Sequence, residues 1–312
     1  MLMFSMLVVF HGVSAIVANG AGVYLVDPRQ LDGHFDVARG WFVNRNHFAA
    51  FMLLCSVGGI SAVLPERQDS VKVLVKVAAA VMLTLVSAAI IMSQSRAALG
   101  CLLLLPVLIV LLLQHLRGCN GLWWIRKRQS YLLAGALLGL VLLVLALNFG
   151  GELVRRILHG GLGIGERGLQ WQVTWQAISD RLIVGHGGGS YASVFQAYRG
   201  DAELRQVVFD QAHNDYLHIW LEQGLIGLTL WLAFIALAFK SGWQALHNTR
   251  SSLIAATLAS GLCITLFALL QSFVDFNLQI VNLRSYFFVI IALLLAVPTL
   301  PGGSRTTNHL KS

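Results

Sequence analysis

Residues 71–114 read VKVLVKVAAAVMLTLVSAAIIMSQSRAALGCLLLLPVLIVLLLQ: one apolar run, the polar tetrad Ser93-Gln94-Ser95-Arg96, then a second apolar run. A helix rises 1.5 Å per residue, so roughly 20 apolar residues cross about 30 Å of hydrocarbon. Four polar residues leave room only for a tight turn, and the stretch predicts two antiparallel membrane helices. The pattern repeats outward on both sides. Further apolar segments lie at 1–19, 47–64, 130–149, 216–239, 252–274 and 283–299, which makes eight expected spans. The chain is 57% hydrophobic and 12% charged, against about 25% charged residues in a soluble domain. An ordinary cytosolic enzyme is excluded. The expected fold class is all-α: a polytopic integral membrane protein with one domain over residues 1–312.

The first run begins at Met1 with no Lys or Arg before it, so it lacks the basic leader of a cleaved signal peptide and reads as a retained helix. Basic residues set the orientation. Arg67 and Lys72, Arg117 to Arg128, Lys240 and Arg250, and Arg305 and Lys311 all fall on one side if the spans alternate. The positive-inside rule makes that side the cytoplasm. Segments 20–46, 93–96, 150–215 and 275–282 then face outward. All five lysines belong to the inner side, whereas eleven arginines stand on the outer one. Arginine engages phosphate through a planar fork and keeps its charge at any accessible pH, so an arginine-lined outer cavity suits a phosphorylated ligand. Pairing with nearby Asp and Glu is the competing explanation for many of them. The net charge of +8 belongs to this membrane pattern and indicates no nucleic-acid partner. The four cysteines are widely spaced in or beside apolar runs and form neither a disulfide framework nor a zinc motif.

The outer segment 151–215 is too long for a plain connector and should hold most of the chemistry. Within it, Arg167, Trp171, Trp175 and Ile178 recur at helical spacing, as expected of an amphipathic helix at the membrane interface, with Arg167 at its start directed to a ligand. The turn Gly185-His186-Gly187-Gly188-Gly189 offers backbone amides to an anion, but no Walker or dinucleotide context surrounds it. Ser190 lacks a nucleophile elbow. The most pointed sequence is Gln211-Ala212-His213-Asn214-Asp215, where the loop re-enters the membrane. His213 has the chemistry of a base near neutral pH. Asn214 and Asp215 are candidates to orient it, to meet the substrate, or to cap the following helix. The spacing of His213, His218 and Glu222 is not that of a zinc helix, and no metal or cofactor is expected. Arg96 and Asp275 close spans at the outer face, where ionisable groups tend to face a pocket or the bundle interior.

Taken together, these residues resemble the O-antigen ligase and polymerase superfamily. The resemblance extends over residues 42–288. It rests on Gly40-Trp41-Phe42-Val43-Asn44-Arg45-Asn46, Ser93-Gln94-Ser95-Arg96, Arg167 with its tryptophans, the glycine-rich turn at 185–189, Ala212-His213-Asn214 and the run from Leu221 to Leu228. The resemblance implies a GT-C-like fold in the bacterial inner membrane with its active site facing the periplasm. It also implies metal-independent, inverting transfer of glycan from undecaprenyl pyrophosphate to an acceptor hydroxyl, with lipid A-core favoured as acceptor. By the same resemblance, Arg96 and Arg167 grip the pyrophosphate and His213 activates the acceptor. Asn214, Asp215, Gly187 and Gly189 are further substrate-binding candidates on their own chemistry. With five spans before the large loop and three after, the chain reads as an N-terminally shortened member. An O-antigen or exopolysaccharide polymerase and a protein O-oligosaccharyltransferase share the donor and stay open as alternatives. A non-catalytic transporter of the same lipid would not require His213, and residues 1–150 and 151–312 show no internal repeat of the kind many transporters carry.

Overall fold

The computed structural model describes residues 10–18, 21, 37–63, 70–117, 164–200, 209–249 and 251–296. Among these residues the secondary structure is helical, without strands. A helical stretch at 10–18 precedes α1 (Arg45–Val63), α2 (Ser70–Ser93) and α3 (Arg96–Arg117). Then come α4 (Ile164–Asp180), α5 (Tyr191–Tyr198), α6 (Asp215–Asn248), α7 (Ser252–Gln271), a 3-10 turn (Asn277–Gln279) and α8 (Val281–Ala296). Six of the eight expected apolar segments are helical, as α1, α2, α3, α6, α7 and α8. The span expected at 1–19 is described only in part, and that at 130–149 lies outside the described residues.

Among the described residues, three helices are long and apolar enough to cross a membrane: Val75–Ser93, Asp215–Asn248 and Leu253–Gln271. The eight-span count therefore stands, among the described residues, at three spans and two shorter apolar helices, Arg96–Leu105 and Val281–Ala296. The tight turn expected from the Ser93 to Arg96 tetrad stands between α2 and α3. Gln94 takes a left-handed backbone (φ 54°) and the Ser93 hydroxyl caps back onto the Ile90 carbonyl at 2.6 Å.

Helix α7 is the centre of the bundle, touching α1, α3, α6 and α8. It is the most enclosed of the three membrane-length helices, with 61% of its apolar window buried, though Leu253, Leu266 and Leu270 stay exposed. Small residues on it (Ala255, Ala256, Ala259, Ser260) are buried and let its neighbours approach. At Gly242 on α6 an added Cβ would stand 2.7 Å from Leu294 Cδ2 of α8, so the two helices pack closely there. Phe48, Met52, Ile90, Leu105, Leu258 and Leu262 form the main core. A second, smaller core (Ile178, Tyr191, Phe195, Ala212 and Leu221) ties α4 and α5 to the first turns of α6. The long loop thus contributes a packed cap over the end of α6. The face of α4 expected to lie on the membrane is largely a packing face. Ile178 is buried in the cap core and the Trp171 indole donates to the Ala212 carbonyl at 3.0 Å, while Trp175 stays exposed.

Candidate functional site

The site forms where the cap meets the connection between α7 and α8. Side chains from α4, from the start of α6 and from α1 reach that connection. Asn214 caps α6 by accepting from the amides of Tyr216 and Leu217 at 3.0 and 3.1 Å, as expected of a short polar side chain at this position. Its amide nitrogen donates to the Phe273 carbonyl at 3.1 Å. From α4, the Arg167 guanidinium donates to the Val274 carbonyl at 2.6 Å. Asp215 is fully buried. Its amide donates to the Ser272 carbonyl, and its carboxylate accepts from the Leu278 amide at 3.1 Å and the Gln279 side chain at 3.4 Å.

His213 sits between these anchors in a left-handed backbone conformation (φ 49°), which is uncommon for a residue with a Cβ. Its neighbours hold it there. Gln170 of α4 donates to the Gln211 carbonyl, Trp171 to that of Ala212, and Asn214 starts the helix. The result turns the imidazole Nδ1 toward Asp275 Oδ1, 3.7 Å away. A second imidazole reaches the same oxygen, because His47 of α1 places Nε2 3.5 Å from it. Phe276 stands edge-on to both rings, with centroids at 4.5 Å from His47 and 4.7 Å from His213. The His213 side chain is 27% exposed, whereas those of His47 and Asp275 are 5% and 8% exposed. One member of the cluster opens outward and two are enclosed. Burial alone would push the Asp275 carboxyl up, but His213 and His47 outweigh it and hold the group well below the usual carboxylate range.

Three sequence-expected residues therefore converge on Phe273 to Asp275: Arg167, His213 and Asn214. The carboxylate that faces His213 is Asp275, not its sequence neighbour Asp215, whose oxygens turn to the 278–279 backbone and side chain. Arg96 is exposed at the start of α3. The turn before it is joined to the segment leading into His47 by the Ala38 amide to the Met92 carbonyl, 3.0 Å. Gly187 and Gly189 lie elsewhere, against a break in α6 at Gly224. There the Gly187 amide donates to the Glu222 carbonyl at 2.8 Å, and the Glu222 carboxylate accepts from the amides of Gly189 and Tyr191. His47 was missed by the sequence reading. Its one signal was a polar residue directly after Asn44-Arg45-Asn46 at the mouth of an apolar run. Among the described residues no set of His, Cys, Asp and Glu is arranged to hold a metal ion.

A helical bundle with membrane-crossing helices, capped by a helical loop that presents a histidine over a buried carboxylate and an arginine beside it, defines a membrane-embedded protein with a polar site at one end. The O-antigen ligase family model matches residues 77–232, half of the chain. The protein belongs to the O-antigen ligase family. That match spans Arg96, Arg167 and His213 and stops short of His47 and Asp275 on either side. Members of the family are glycosyltransferase-like enzymes. No curated protein matches the chain.

Proposed function

We propose that the protein transfers glycan from undecaprenyl pyrophosphate to an acceptor hydroxyl at the periplasmic face of the inner membrane, with lipid A-core as the favoured acceptor. The observation that carries this reading is the open His213 imidazole backed by the enclosed Asp275 carboxylate. An Nδ1–H directed at Asp275 leaves Nε2 as the free acceptor, the tautomer a general base needs. His213 takes the proton of the acceptor hydroxyl as its oxygen forms a bond to the anomeric carbon. The bond from that carbon to the pyrophosphate oxygen breaks, and direct displacement inverts the centre. Negative charge grows on the departing pyrophosphate, and Arg167 and Arg96 are suited to stabilise it by bidentate contacts. Asp275 stabilises the imidazolium formed.

The test is transfer by purified protein in nanodiscs containing EDTA, with undecaprenyl-pyrophosphate-linked glycan and either lipid A-core or free glycan as acceptor. We expect metal-independent transfer to lipid A-core, reduced about 10²–10⁴-fold in His213→Ala, the usual worth of a general base. Elongation of the glycan instead would make the protein a polymerase. Wild-type turnover in the variant would remove His213 from the chemistry.

A further inference from the structure

The break in α6 and the turn that fills it point to a function for the glycine-rich region other than anion binding. Gly224 has φ 67° in mid-helix, so the ladder of α6 is interrupted there. The 182–187 turn supplies the missing partners. The amides of His186 and Gly187 donate to the carbonyls of Leu221 and Glu222 at 2.8 Å, and the carbonyls of Leu182 and Ile183 accept from the amides of Leu225 and Ile226 at 2.9 and 3.3 Å. The Trp220 indole adds a bond to the Leu182 carbonyl at 3.1 Å. Gly185 and Gly224 make this approach possible, since a Cβ on Gly224 would lie 2.1 Å from the Ile183 carbonyl oxygen.

These bonds pair the carbonyls of Leu182 and Ile183 and the amides of His186 and Gly187, which lowers the cost of bringing this irregular backbone against hydrocarbon. Its side chains suit the same medium: Ile183 is 59% and Val184 68% exposed. They are not an isolated patch. Ile226, bonded to Ile183 through the backbone, begins a stripe continued by Leu230 and Leu237, which are 53%, 67% and 62% exposed. The spacing of four and seven residues keeps that stripe on one side of the helix. This is a membrane-crossing helix of which only 22% of the apolar window is buried inside the protein, so acyl chains are what cover the rest, and the turn continues that surface. Above it, Trp175 and Trp220 meet edge to face at 5.4 Å, the amphipathic pair expected at the boundary with water.

From this continuity we infer that the 182–184 turn is a wedge inserted among the acyl chains of the membrane leaflet on the cap side, docking the cap onto lipid. Nine residues of α6, Asp215 to Gln223, separate the break from the Asn214 cap, about 14 Å of helix. With the wedge about 5–10 Å deep, as interfacial apolar faces lie, His213 stands level with the headgroup phosphates.

The inference uses the membrane span of α6 and no part of the transfer chemistry, so the two fail separately. With the four native cysteines replaced by alanine, nitroxides are attached at Val184→Cys, Leu230→Cys and Ser193→Cys. The full-length chain is then reconstituted in phosphatidylethanolamine and phosphatidylglycerol vesicles. Oxygen and a water-soluble nickel chelate serve as the two relaxing agents. The expected result is an oxygen-to-nickel ratio at 184 close to that at 230 and several-fold above that at 193. A ratio at 184 equal to that at 193 would overturn the wedge, and nickel access at both 184 and 230 would overturn the span of α6 with it. Dipolar broadening at 184 that persists at high lipid-to-protein ratio would overturn it in favour of a second copy of this chain.

Discussion

At the scale of single residues, the two imidazoles on one Asp275 oxygen give the site its electrostatics. A carboxylate buried to this degree stays charged because cations or donors face it, and here His213 and His47 do so at 3.7 and 3.5 Å. Because its pKa is held below the usual carboxylate range, the stability Asp275 contributes is fully present above that range. It is lost only as pH falls through the depressed value. Asp275→Asn removes the negative charge that faces the imidazolium formed on His213. We expect the transfer rate to fall about 10–100-fold, the worth of about 1.5–3 kcal/mol of charge-assisted interaction. An unchanged rate would separate Asp275 from His213. Arg96→Lys and Arg167→Lys keep the charge but lose the fork, and both should lower the transfer rate about tenfold or more if bidentate phosphate contacts are made. Full activity in both variants would assign these side chains to the protein's own backbone and the lipid surface.

At the scale of elements, the break at Gly224 is a designed interruption. Sequence periodicity reads α6 as a continuous span, since the flanking residues keep helical spacing and a lone glycine in a helix is tolerated. The strain is visible only with the 182–187 turn in place. Gly224→Ala meets both a left-handed backbone and the Ile183 carbonyl, and should destabilise by about 2–6 kcal/mol, the sum of backbone strain and overpacking. Gly188→Ala is the control. No atom lies within 4 Å of an added Cβ there, so its effect should stay within about 0.5 kcal/mol. Thermal unfolding of the two variants in the same detergent checks the difference, and equal midpoints would mean the turn is not seated in the break.

The whole molecule divides into a bundle centred on α7 and a cap that continues the first turns of α6. Since α6 is 34 residues long, its ends should lie on opposite sides of the membrane. In intact cells an impermeant maleimide should label Ser193→Cys, whereas Thr249→Cys should react only after permeabilisation. Labelling of both from one side would contradict the span. The cap and the 272–278 connection fasten to each other through Arg167, Asn214 and Asp215, so the site is built between the helical cap and that connection.

The apolar runs, their lengths and the polar tetrad at 93–96 determined the helical membrane architecture, because burying a backbone in hydrocarbon forces helices wherever the run is long enough. The order of Arg96, Arg167 and His213 carried the family resemblance, and Asn214 as a cap followed from its side chain. Only the tertiary structure decided which carboxylate faces His213. Adjacency along the chain favoured Asp215, but the start of a helix turns successive side chains in different directions, and Asp215 accepts from the Leu278 amide and the Gln279 side chain. Asp275 and His47 arrive from 62 and 166 residues away, brought together by the packing of α1 and α7. No local pattern encodes that meeting, because it depends on which helix faces which.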